Sequence, residues 1–185
     1  MCDSNASMDD ECRLLSKEEL AKDGVFLDED EDNIPQSNDS EYYFAVLCDL
    51  PSPTNEQKNF LLKIIANDSH YSYETLCGVK NLTVGQKNIL IKTIAKSLEY
   101  SERTLTAVDL TEAQGNVLLK TISKDPLCSY RVLEFTRNLT ALQKAVLVRS
   151  VAKDDLASKY ALDDVTGLTV KQKNTLERTV LKART

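Results

Sequence analysis

The phrase x-T-x-x-Q recurs five times along this chain, and its spacing restricts the fold more than any other feature. It reads Pro53-Thr54-Asn55-Glu56-Gln57, Leu82-Thr83-Val84-Gly85-Gln86, Leu110-Thr111-Glu112-Ala113-Gln114, Leu139-Thr140-Ala141-Leu142-Gln143 and Leu168-Thr169-Val170-Lys171-Gln172. The glutamines stand 29, 28, 29 and 29 residues apart. A fixed period of this size is the mark of an array of supersecondary units. Each phrase also starts a helix. Thr at the N-cap accepts from the N3 backbone N–H, and Gln at N3 reaches back to the N–H of the cap. The Leu ahead of the Thr is placed to staple onto the first turn.

An apolar run follows each phrase: Leu61-Leu62 with Ile64-Ile65, Leu90-Ile91 with Ile94, Leu118-Leu119 with Ile122, Leu147-Val148 with Val151, and Leu176 with Val180. Positions four and eight after the Gln share one helical face. The pattern predicts an A helix of about 12–14 residues in each copy, ending near Asn67-Asp68, Lys96-Ser97, Lys124-Asp125-Pro126 and Lys153-Asp154. Fifteen residues after the first four glutamines stand Ser72, Ser101, Ser129 and Ser158, and four beyond these Leu76, Leu105, Leu133 and Leu162. These serines are expected to cap a short B helix of about two turns with the Leu facing inward. Val79, Val108 and Val165 add a second inward contact. Residues Tyr42 to Cys48 fall in the same register and read as a B helix without an A helix of its own. Two helices in 29 residues cannot enclose a core, but stacked units can. The expected fold is all-α, a short α-solenoid of about five two-helix repeats over residues 40–185, closing in a final A helix at 169–183. Glu177 and Thr175 replace apolar residues of the earlier copies, which suits a terminal helix. The Tyr42-Tyr43-Phe44 cluster is placed to cover the first layer.

The formal net charge of −6 conceals an asymmetry. Residues 1–41 hold 14 Asp plus Glu against 3 Lys plus Arg, and residues 42–185 hold 15 against 20. Asp28-Glu29-Asp30-Glu31-Asp32 repels itself and buries nothing, so residues 1–39 are expected to form an acidic, flexible tail. Ser16 with Glu19, Leu15 with Leu20, and Gly24 would mark one short helix within it. The tail is either a solubilising arm or a segment that docks on something basic.

No apolar run reaches the roughly 20 residues of a membrane helix. Met1-Cys2-Asp3-Ser4 lacks the features of a signal peptide, so a cytoplasmic location and no membrane partner are expected. The five cysteines include no C-x-x-C pair, and an odd count fits a reducing compartment. Cys48 and Cys77 share a repeat position just after the inward Leu and are expected to pack as small buried hydrophobes. The single histidine, His70, falls between helices and reads as a surface residue. With one His and no phosphate loop or nucleophile elbow, no catalytic residue, metal site or cofactor is expected.

Six residues after every Gln stands a base: Lys63, Lys92, Lys120, Arg149 and Arg178. Four further on come Lys96, Lys124, Lys153 and Lys182. These positions lie one turn apart on the A helix, opposite the Leu positions. Stacking would align them in two ladders with rungs about 10 Å apart. A repeated surface position holds Asn59, Asn88, Asn116, Ala145 and Asn174. The ladders read either as a solvated helix face whose late lysines favour the helix C-terminus, or as a track for an acidic ligand.

The junctions Asn67-Asp68-Ser69-His70-Tyr71-Ser72-Tyr73, Lys96-Ser97-Leu98-Glu99-Tyr100-Ser101 and Lys124-Asp125-Pro126-Leu127-Cys128-Ser129-Tyr130 resemble a K-[SD]-P-x-Y-[AS]-Y phrase. That phrase marks short helical repeats of bacteriophage and large-virus proteins, and the likeness covers residues 53–185. It implies a helical scaffold without a particular activity, and a host-directed role. The L-T-x-x-Q opening is also similar to the base-reading repeats of TAL effectors. Those repeats are longer and carry a Gly-rich loop where this chain has Ser-Leu-Glu-Tyr or Asp-Pro-Leu-Cys, so base recognition does not carry over. The leading expectation is a non-enzymatic adaptor or inhibitor that binds another protein. The alternative is a nucleic-acid-binding solenoid that uses the ladder and is autoinhibited by the acidic tail. A pI near 4.9 and a basic side with few aromatics weigh against nucleic acid.

Overall fold

A computed structural model describes residues 40–183. The short helix expected around Ser16 and the acidic run Asp28 to Asp32 lie outside the described residues. Ten helices account for the ordered secondary structure, with no strand among the described residues: α1 (Ser40–Asp49), α2 (Asn55–Ile65), α3 (Ser69–Gly78), α4 (Val84–Ile94), α5 (Leu98–Ala107), α6 (Glu112–Ile122), α7 (Pro126–Phe135), α8 (Ala141–Val151), α9 (Asp155–Asp164) and α10 (Val170–Lys182). The five A helices are α2, α4, α6, α8 and α10, and all five start at the expected threonines. Each carries a complete capping box, with Thr54, Thr83, Thr111, Thr140 and Thr169 paired to the Gln three residues on.

The A helices stop earlier than expected, at 11 residues in the first four copies. Their last N–H bonds switch to i−3 acceptors, as in Asn67 N–H to the Ile64 carbonyl at 3.1 Å and Lys96 N–H to the Thr93 carbonyl at 2.9 Å. This tightens the chain into the next B helix. The B helices are correspondingly longer, at ten residues each, and their caps are not the expected serines. Asp68, Ser97, Asp125 and Asp154, four residues earlier, are the N-caps. Ser72, Ser101, Ser129 and Ser158 are instead fully buried. The Ser101 hydroxyl donates to the Ser97 carbonyl at 2.6 Å and lies 3.1 Å from the Ile94 carbonyl. Ser129 does the same with Asp125 and Ile122, and the Ser158 hydroxyl donates to the Val151 carbonyl. These hydroxyls thus lie against carbonyls of the A-to-B junction, either the B-helix cap or the end of the preceding A helix.

The phase of the repeat also differs from the sequence reading. Each B helix packs most extensively on the A helix that follows it, so α1–α2, α3–α4, α5–α6, α7–α8 and α9–α10 are the units. Helix α1 is therefore the first arm of a complete hairpin. Between hairpins, contacts run only to adjacent ones, mainly A helix on A helix and B on B, in two layers, with a smaller contact from each A helix to the B helix that follows it. This is the one-dimensional packing of a solenoid. The core lies between the layers: Leu62, Ile65, Leu90, Ile94, Leu118, Ile122, Leu147, Val151 and Leu176 are fully buried. Of the inward leucines, Leu76, Leu105 and Leu133 are buried and Leu162 is half-buried. At the last unit Thr175 and Glu177 are exposed.

Two side-chain ties join one hairpin to the next. In the three middle A helices the Gln that closes the capping box through Oε1 donates through Nε2 to the repeated Asn of the preceding A helix. The pairs are Gln86 to Asn59 (2.9 Å), Gln114 to Asn88 (2.9 Å) and Gln143 to Asn116 (3.0 Å). Seven residues after each of the last four glutamines a hydroxyl donates to the carbonyl that ends the previous A helix. These are Thr93 to Ala66 (2.6 Å), Thr121 to Ala95 (2.5 Å), Ser150 to Ser123 (2.8 Å) and Thr179 to Ala152 (3.0 Å).

Gln114→Glu keeps an acceptor for the cap but turns an oxygen toward Asn88 in a buried position. It is expected to cost about 1–3 kcal/mol. Gln172→Glu, where Ala145 offers no acceptor, should stay within about 0.5 kcal/mol of the parent. Urea melts of the two variants make the comparison. Thr75 and Thr104 are fully buried with hydroxyls that have no hydrogen-bond partner, where the equivalent positions hold Val132 and Ala161. Thr104→Val should therefore stabilise the chain by about 1 kcal/mol, read as a higher urea midpoint at unchanged slope.

Candidate functional site

Because like helices stack side by side, a residue type repeated in the sequence becomes a row on the surface. The A helices carry eleven Lys or Arg against three Glu. The B helices carry three against nine Asp or Glu. The two layers of the slab thus bear opposite charge.

All nine residues of the expected basic ladders, Lys63, Lys92, Lys96, Lys120, Lys124, Arg149, Lys153, Arg178 and Lys182, are exposed. The first-ladder residues project from the A helices on the side away from the core. Lys96, Lys124 and Lys153 do not lie on the A helices as expected: the helices end two residues before them, so these lysines occupy the A-to-B junctions. Lys182 alone of the second ladder is helical. The junction lysines still stand at the carbonyl ends of the helices, where positive charge is favoured. Apart from Lys182, no ladder residue forms an ion pair among the described residues. Of the repeated asparagines expected as surface positions, Asn59 and Asn88 are exposed and Asn116 is half-buried, and all three also act as acceptors for the next hairpin.

The B layer holds a feature the sequence reading passed over. All seven tyrosines lie on B helices, together with His70 and Phe44. Their rings pack in series: Phe44 on Tyr71 at 5.9 Å, Tyr71 on His70 at 4.8 Å, His70 on Tyr100 at 5.6 Å and Tyr100 on Tyr73 at 5.8 Å. Further along, Tyr130 packs on Tyr160 at 5.6 Å. His70 thus lies inside helix α3 rather than between helices, and it is exposed as expected, its ring against those of Tyr71 and Tyr100. The signal was countable in the sequence, but it needed the B-helix boundaries to become a row.

Cys48 and Cys77 are exposed, contrary to the expectation of burial. Each follows its inward Leu by one residue, a step of about 100° around the helix that turns the thiol outward. Among the described cysteines Cys128 is the buried one, and burial pushes its thiol up to about 11, with the Arg131 contact opposing the shift. Among the described residues no group of three or more His, Cys, Asp or Glu is arranged to hold a metal ion. No described helix is long and apolar enough to cross a membrane. A cleft of about 510 Å³ opens between the α5–α6 and α7–α8 loops, over Gly115 and Gln143, with the exposed Phe135 ring at its rim.

These features define a class of protein, an α-solenoid of five helical hairpins with a basic layer and an acidic, tyrosine-bearing layer. Comparison of the chain with protein-family models, curated proteins and solved structures finds no match.

Proposed function

We propose that this chain is a non-enzymatic binding protein, an adaptor or inhibitor whose A-helix face takes an acidic surface of another protein. The observation that carries the reading is the row Lys63, Lys92, Lys120, Arg149 and Arg178, exposed and without acidic partners among the described residues. A single exposed ion pair is worth only about 0–1 kcal/mol, but a row at regular spacing meets an extended acidic partner at several points together. Phe60 is the only aromatic on the A helices and is half-buried. Base stacking, which holds single-stranded nucleic acid, therefore has little to use, and this favours a protein over nucleic acid. The likeness of the junction phrases to viral helical repeats directs the search toward host proteins. Titrating the full chain with an Asp/Glu-rich peptide at low salt should show binding. Lys92→Glu combined with Lys120→Glu should weaken it by about tenfold or more, since each reversal turns an attraction into a repulsion, without lowering the melting temperature. Duplex or single-stranded DNA binding more tightly than the peptide, with a steep salt slope, would transfer the reading to nucleic acid.

A second reading makes the acidic N-terminal segment an intramolecular competitor for the same face. Ser40 Oγ donates to the Ile64 carbonyl at 3.2 Å, so the chain enters the solenoid at the end of α2, beside Lys63. Asp32 stands eight residues upstream of Ser40, a reach of up to about 26 Å across rungs about 10 Å apart. Tethering raises the effective concentration to about the millimolar range. Replacing Asp28, Glu29, Asp30, Glu31 and Asp32 by their amides in the full chain should tighten binding of the acidic peptide at low salt. The gain should fade near 0.5 M salt, where screening acts within about 4 Å. Unchanged affinity would remove the competitor and leave the face.

A further inference from the structure

The acidic layer contains, within the chain itself, an arginine set against both a ring and a carboxylate. The guanidinium of Arg103 lies 5.9 Å from the centre of the Tyr100 ring, and its Nη2 stands 3.0 Å from Glu99. A ring face and a carboxylate hold this arginine jointly, the pairing that suits a planar, weakly hydrated cation better than an ammonium. Across the next two hairpins, on α7 and α9, the same groups are assembled without an arginine between them. Tyr130 and Tyr160 pack at 5.6 Å with their planes 36° apart, and Tyr160 is 40% exposed. The Tyr130 hydroxyl donates to Asp164 Oδ2 at 2.7 Å, which fixes both the phenol and the carboxylate. Glu134 stands one turn beyond Tyr130, and Asp163 and Asp164 one turn beyond Tyr160, so all three carboxylates share the side of their helices that the rings occupy. Burial and the carboxylates of Asp164 and Glu134 push the Tyr130 phenol far up. Arg131 is drawn the other way, to Glu102 at 2.9 Å on the preceding hairpin.

We propose that the Tyr130–Tyr160 pair with Glu134, Asp163 and Asp164 is a docking point for an arginine side chain on a basic segment of a partner protein. The incoming guanidinium lies against the exposed Tyr160 ring, as Arg103 lies over Tyr100, and donates to Asp163 and Asp164. Lysine meets the charge but not the plane of the site. The surface lies on the layer opposite the basic row, so it does not depend on the A-face reading, and the two faces are able to engage different partners.

The test titrates the full chain with an arginine-rich peptide and with its all-lysine counterpart of the same length. The chain has no tryptophan, so its intrinsic emission reports the tyrosines directly. The arginine peptide is expected to bind several-fold more tightly and to perturb the signals of Tyr130 and Tyr160. Asp163→Asn with Asp164→Asn should weaken the arginine peptide by about tenfold, the order of one charge-assisted contact. Tyr160→Leu, at an exposed ring whose loss the fold tolerates, should remove most of the arginine-over-lysine preference while leaving the lysine peptide nearly unchanged. Lys92→Glu with Lys120→Glu, which tests the other face, should not reduce arginine-peptide binding. Equal affinity for the two peptides, or a preference that survives Tyr160→Leu, would show a general charge effect and overturn the proposal, as would no binding at all.

Discussion

The side-chain amide at the third position of each A helix joins local structure to the array. A glutamine amide has one acceptor oxygen and one donor nitrogen on opposite sides. In Gln86, Gln114 and Gln143 the oxygen is taken by the N–H of the helix's own cap and the nitrogen by an Asn of the hairpin before. Pointing the oxygen at the cap leaves the nitrogen aimed at the neighbour. Starting the helix and setting its register against the previous one are thus one event. The three amides are buried, at 3–5% exposure, where an unsatisfied donor is costly and a satisfied one specifies the fit. The hydroxyl-to-carbonyl ties at the other end of the same helices hold the second point, so neighbouring A helices are fixed at both ends.

The opposite charge of the two layers follows from this stacking. A solenoid repeats one helical environment at intervals of about 10 Å, so even a weak compositional preference at one repeat position is multiplied along the stack. A Lys or Arg six residues after Gln is unremarkable in one helix. In five it is a field, and fields of this kind steer encounters before any contact forms. The B layer does the same with carboxylates and tyrosines, giving the slab one basic and one acidic side.

What was legible in the sequence was what is local. The capping box needs only Thr and Gln three residues apart, and all five A-helix starts fall where it places them. The B-helix caps were misplaced because two cap-forming types recur four residues apart, such as Asp125 and Ser129. Choosing between them requires knowing where the A helix stops. That stop is set by the turn at Ser123 and Lys124, whose N–H groups close the helix end. The phase of the hairpin was hidden for a similar reason: the most recognisable phrase opens the A helix, while the decisive packing is of each B helix on the A helix after it. The Asn-to-Gln ties were invisible because they pair residues 26 or 27 positions apart. The exposed basic positions needed only helical geometry, and only the junction lysines departed from it.

The one irregular step in the period shows which constraint governs the rest. The interval between Gln86 and Gln114 is 28 residues because the α5–α6 loop lacks the residue that Asn81 and Gly167 supply elsewhere, both at positive φ. Two residues bear on the closer passage that follows. Gly115 stands where Lys58, Lys87, Lys144 and Lys173 stand in the other units, and a Cβ there would fall 3.0 Å from Gln143 Nε2 and 3.4 Å from Leu105 Cδ1. Gln143 Nε2 in turn makes its bond to Asn116 at 3.0 Å and lies 3.5 Å from the Glu112 carbonyl. The shortened loop, the glycine and the cleft over Gly115 and Gln143 are thus parts of one local adjustment. The loop is one residue shorter and the helix has no side chain at this position, yet the amide ties on both sides of α6, at 2.9 and 3.0 Å, match the 2.9 Å of Gln86 to Asn59. One loop is shorter, and the amide ties of α4 to α6 and α6 to α8 are both made.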